Sequence, residues 1–100
     1  MNEIRILTVV WDGRNEAHIW ERHKLTRAEV EEVCYGDAEK LHVENTYGGR
    51  YLVVGPKRGG KLCAVVLAPK GAGDFYPVSA RRASTKERRA YREWKAGKQK

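Results

Sequence analysis

The stretch KLCAVVLA, residues 61–68, is apolar on both of the faces that a strand would present. A strand of that kind belongs at the centre of a sheet covered on both sides, because an outward apolar face would lie in water. Its neighbours in sequence fit around it. RYLVVG (50–55) and FYPVSA (75–80) read as strands and are set off by PKRGG and PKGAGD. KLHVENT (40–46) alternates, with Leu41 and Val43 on one face. Short glycine-containing connections predict an antiparallel meander, and Pro77 suits an edge or an entry position better than a central one.

Before residue 40 the pattern is different. EIRILTVVWD (3–12) is rich in β-branched residues and predicts a first strand. Asp12 can cap a helix over 13–23, in which Ile19 and Trp20 recur at helical spacing with Asn15 and Glu16. Thr26 and Glu29 form a capping box, Leu25 and Val30 stand at staple positions, and Val30, Val33 and Cys34 make an apolar stripe. These signals predict a helix over 27–35, with Gly36 as a C′ stop. Ser84 and Glu87 form a further box, opening a helix over 85–96 that turns Ala90, Tyr91 and Trp94 inward. The fold class is therefore α+β: an antiparallel meander with two N-terminal helices and one C-terminal helix.

A chain of 100 residues buries roughly two-thirds of its unfolded surface, enough for one domain. We assign residues 1–96 to it and expect the basic tail 97–100 to fray. No signal peptide or membrane-spanning run is visible, so the expectation is a cytoplasmic protein with no membrane partner. Cys34 and Cys63 fall inside apolar patterns without CxxC spacing and read as buried free thiols.

The net charge of +7 is not spread evenly. Residues 1–80 hold 11 Lys+Arg and 11 Asp+Glu, whereas residues 81–100 hold nine Lys+Arg against Glu87 and Glu93. The whole excess lies in the last fifth of the chain, which points to a polyanion or an acidic partner. A solvated helix face accounts for the local amphipathicity of the last helix but not for the neutrality of everything before it.

Other motifs are weaker. GPKRGGK (55–61) lacks the Ser/Thr of a phosphate loop and joins two strands, so it reads as a hairpin turn whose Lys57, Arg58 and Lys61 can still touch phosphates. His18 and His23 stand about 140° apart on a helix and do not form an i, i+4 metal pair. His42 has no obvious partner, and no metal or other cofactor is expected. Ser79 sits in no nucleophile elbow. His23 is either a helix-end residue favoured by the dipole or a general acid or base.

Two separated motifs carry a family resemblance. WDGRNEAHIWERHKLTRAEVEEV (11–33) and VSARRASTKERRAYREW (78–94) together resemble the BrnT-type ribonuclease toxins of bacterial toxin–antitoxin pairs. The second is close to an S-A-R-x-A-[ST]-x-x-E-R-x-x-Y signature, met here by Ser79, Ala80, Arg81, Ala83, Ser84, Glu87, Arg88 and Tyr91. Ile19 and Lys24 stand where the family often has Asn and Gly. The resemblance implies a small ribonuclease-toxin fold, RNA as substrate, and a cognate antitoxin that commonly binds DNA and through which the toxin can oligomerise. It implies an endoribonuclease that needs no metal, since the RNA's own 2′-hydroxyl is the nucleophile. On it, His23 would transfer the proton, and Arg50 and Arg81 would stabilise the phosphate. Arg82, Lys86, Arg89, Lys57 and Arg58 would hold the RNA, and Trp11 would stack on a base. Two rivals remain, a non-enzymatic nucleic-acid-binding module and an acidic-partner module of the same fold.

Overall fold

The computed structural model describes residues 4–98. Its elements are β1 (Thr8–Val9), α1 (Gly13–His23), α2 (Arg27–Cys34), β2 (His42–Thr46), β3 (Arg50–Pro56), β4 (Leu62–Gly71), β5 (Asp74–Arg82) and α3 (Thr85–Lys98). Short 3-10 turns lie at Ala38–Lys40 and Tyr47–Gly49. The sheet order is β1-β5-β4-β3-β2, so β4 is central as its apolar pattern requires. β2 to β5 form the antiparallel meander, and β1 adds in parallel to β5.

The expected first strand contracts to two residues. Thr8 and Val9 lie opposite Asp74 and Phe75, and Val10 N–H still donates to the Phe75 carbonyl at 2.8 Å. Asp12 then takes the chain off the sheet by capping α1. Its carboxylate accepts from Asn15 N–H at 2.9 Å while the Asn15 side chain accepts from Asp12 N–H at 2.9 Å. Beyond Phe75, β5 is consequently a sheet edge. Pro77 lies there, next to a register shift that leaves Val78 unpaired, where a missing N–H costs least.

The two faces of the sheet are covered unequally. On one, α1 and α2 bury Ile19, Leu25, Val30, Val33 and Cys34 against Val53, Cys63, Val65, Leu67 and Ala80. On the other, α3 covers a smaller group, Val54, Ala64, Ala83 and Tyr91, with Leu52, Leu62 and Trp94 partly buried. Both cysteines are free and buried, and burial pushes the Cys34 thiol up to about 12.

Four local expectations need correction. Ala90 is exposed, because α3 is rolled so that Glu87, Arg88, Tyr91, Trp94 and Lys95 face inward or flank the sheet. That roll follows from polar anchors, among them Arg88, which donates to the Ala83 carbonyl at 2.7 Å. α3 runs to Lys98, past the expected end at 96; residues 99 and 100 of the tail lie outside the described residues. Trp20 is 49% exposed, since only Asn15 and Ile19 of α1 reach the core. The left-handed helix end is at Lys24 (φ 57), which closes α1, whereas α2 ends at Tyr35 with φ −93. Among the described residues no helix is long and apolar enough to cross a membrane.

Candidate active site and basic cleft

α1 packs along the edge of β5 and is fixed at its start, where the Tyr76 hydroxyl lies 3.1 Å from both carboxylate oxygens of Asp12. Its last residue, His23, is half-buried at the end of the helix. Burial lowers the His23 pKa below the ordinary 6.5, and the nearby charges of His18, Arg81 and Arg22 lower it further. The His18 and His23 rings meet edge to face at 6.4 Å. An imidazole depressed in this way is neutral at physiological pH and able to accept a proton.

Arg81 thus lies near enough to His23 to act on its titration, but its guanidinium is engaged. Nη1 and Nη2 donate to the two oxygens of Glu87 at 2.6 and 2.8 Å, and Nη1 also reaches the Arg82 carbonyl at 3.3 Å. This bidentate pair holds the Glu87 carboxyl at about 2. Glu87 additionally accepts from Ser84 N–H at 2.9 Å, closing the expected capping box. One carboxylate therefore clamps β5 to α3 and caps the helix.

The other candidate residues are dispersed. Arg50 opens β3 at the far end of the sheet, roughly 13 Å along the strands and about 10 Å across them from the Arg81 position, by register and strand spacing. Trp11 is held in place: its indole N–H donates to Glu31 at 2.9 Å and Arg27 lies 5.7 Å from the ring centre. Lys57 is ion-paired with Glu29, whose carboxyl is held at about 2 by that contact and by Thr26. Arg58 donates its backbone N–H to Glu32 at 3.0 Å. The acidic side of α2 therefore pins the β3–β4 turn, where Gly59 and Gly60 take φ of 97° and 93° that other residues adopt only with strain. Lys86 and Arg89 are exposed on α3.

What the fold does gather is a different cationic set. An open cleft of about 460 Å³ lies between the β3–β4 turn and α3, lined by Lys61, Arg82, Arg88, Arg92 and Lys95 with Pro56, Leu62, Ala83 and Tyr91. No carboxylate lines it. Of these cations only Arg82 stood among the leading candidates from sequence. The signal for three others was present, because residues 88, 92 and 95 follow helical spacing and share one flank of α3. Arg81 and Arg82 are adjacent in β5 and point to opposite faces, Arg81 toward α3 with Ala64 and Arg82 toward the side of Cys63, so Arg82 borders the cleft through the strand end.

No family model matches the sequence, and no curated protein matches it. In structure the chain is similar to the Brucella abortus ribonuclease toxin BrnT, with a TM-score of 0.63 and 24% identity. The match covers 78% of this chain and 97% of that one. At this identity the likeness is one of architecture: the chain has a BrnT-like α+β fold.

Proposed function

We propose that this chain is the toxin of a toxin–antitoxin pair and cleaves RNA without a metal. The observation that carries the reading is His23, a half-buried imidazole packed against His18 and held below its ordinary pKa by burial and by the charges of His18, Arg81 and Arg22, in a fold similar to that of a ribonuclease toxin. Neutral His23 would take the proton from a 2′-hydroxyl as its oxygen attacks the adjacent phosphorus, giving a 2′,3′-cyclic phosphate, while water would protonate the departing 5′-oxygen. The nearby guanidiniums would offset charge on the phosphorane. Arg81 would do so through its Nε–H and remaining Nη2–H, with Glu87 holding the other edge of its fork. Arg50 is too far away to touch the same phosphate and would contact another part of the RNA. Silencing would fall to a partner antitoxin that commonly binds DNA.

The test is cleavage of RNA by purified protein in EDTA, with His23→Ala beside it. Cleavage that His23→Ala loses while its melting curve is kept supports the reading; RNA binding without cleavage by the wild type overturns it. One observation favours a second reading, a non-enzymatic nucleic-acid-binding module. Both terminal nitrogens of Arg81 are bound by Glu87, as in a structural arginine.

A further inference from the structure

We infer that the cleft between α3 and the β3–β4 turn is a sequence-independent grip for the backbone of single-stranded RNA, with Lys61, Arg92 and Lys95 as its phosphate contacts. The inference rests on RNA being the ligand and adds where, and in what manner, it is held.

Three features of the cleft support this. Cations on both walls face one volume with no carboxylate between them, whereas Arg81 and Lys57 nearby are each neutralised by a glutamate. Among the described residues Lys61, Arg82, Arg92 and Lys95 carry no ion pair. Arg88 differs, since Nη1 is bound to the Ala83 carbonyl and Nη2 to the Thr85 hydroxyl at 3.2 Å; it shapes the wall.

The floor decides the manner of binding. Pro56, Leu62 and Ala83 have no hydrogen-bonding side-chain group, and the Tyr91 hydroxyl is committed to the Lys40 carbonyl at 2.7 Å. The floor thus has no free side-chain donor for a base edge and only the Tyr91 oxygen as an acceptor, while apolar surface between cations accepts an unstacked base. A duplex is recognised by shape across successive grooves and does not enter a cleft of about 460 Å³. The lining is dominated by cations and apolar surface, which favours charge and strandedness over sequence.

The experiment measures binding of labelled oligouridylate, oligoadenylate, duplex RNA and poly-L-glutamate across a salt series. It compares the wild type with Lys61→Gln/Arg92→Gln/Lys95→Gln and with a control of equal charge, Arg5→Gln/Arg14→Gln/Lys70→Gln. Circular dichroism confirms that each is folded, and Lys61→Gln/Arg92→Gln replaces the cleft triple if it melts early. The expected result is equal affinity for the two single strands, with a salt slope lowered by about 2 in the cleft triple, at about 0.7 per lost phosphate contact. The control should keep the wild-type slope. Equal losses in both triples, an unchanged cleft triple, or preference for the duplex or for polyglutamate would each overturn the inference. Wild type that binds RNA through the cleft yet never cuts it leaves the grip standing and removes the catalytic reading.

Discussion

Arg81 and Glu87 face each other fork to fork, with Nη1 to Oε1 at 2.6 Å and Nη2 to Oε2 at 2.8 Å, so that the end of β5 and the start of α3 are one unit. Replacing Glu87 by Gln should destabilise the protein by about 1–2 kcal/mol at neutral pH, below the full value of a charged pair because solvent screens it. The folded carboxyl sits at about 2 against an ordinary 4.5, so its contribution is complete above pH 4.5 and is lost as pH falls toward 2. Urea melts across that window should show a shallower acid limb in Glu87→Gln than in the wild type. Equal limbs would mean that the pair contributes nothing.

His23 titrates below 6.5, chiefly through burial and next through His18. The variant His18→Ala should therefore raise the His23 pKa toward 6.5, read directly from its ring resonances in a proton NMR titration. Between the folded and unfolded pKa the unfolded chain binds more protons, so His23 lowers stability as pH falls through 6.5. His23→Gln should abolish that part of the pH dependence. If the protein cleaves RNA, the rising limb of the pH–rate profile should move up with the His23 pKa in His18→Ala.

Lys24 closes α1 at φ 57, a conformation that costs a side-chain-bearing residue on the order of 1 kcal/mol and glycine almost nothing. Its ammonium also lies 5.4 Å from the Trp20 ring centre, an exposed contact of roughly 0.5 kcal/mol. Lys24→Gly should stabilise the protein by about 0.5 kcal/mol, or roughly 2–4 °C in melting temperature. Lys24→Ala should give no gain. A lower melting temperature for the glycine variant would show that the ring contact outweighs the backbone term.

Tyr91 spans from α3 to the 3-10 turn at Ala38–Lys40 through its hydroxyl, and its ring packs at 5.5 Å on Trp94. Tyr91→Phe keeps the ring and leaves the Lys40 carbonyl without this donor. It should cost about 1 kcal/mol. Hydrogen exchange should rise in α3 before it rises in β4, whose two faces are covered. Uniform faster exchange would instead show that α3 opens only with the whole molecule.

The parts of this fold that were legible in the sequence are those decided within a few residues. The Asp12 cap and the boxes Thr26–Glu29 and Ser84–Glu87 are local exchanges of hydrogen bonds and appear where expected. The central position of β4 followed from its two apolar faces. What escaped depends on partners far along the chain. β1 is short because Asp12 turns it away from β5, and Lys57 is occupied because Glu29 reaches it across 28 positions. The roll of α3 was misjudged at Ala90 because three apolar residues define a stripe poorly and charged anchors settle it. For the candidate site, His23 and Arg81 fall at one end of β5, whereas Arg50 could be separated from them only once strand register was known.

The unequal cover of the sheet also orders events during synthesis. The thicker core draws on residues 9 to 80, a stretch whose charges nearly cancel, while every cation of the cleft except Lys61 comes from the last fifth of the chain. A nascent polypeptide emerging N-terminus first can assemble the meander through its short hairpins and bury α1 and α2 before α3 exists. Until then the cleft between α3 and the β3–β4 turn does not exist. A product terminated before Arg81 would be nearly neutral and would lack α3 and the cleft it forms with the β3–β4 turn.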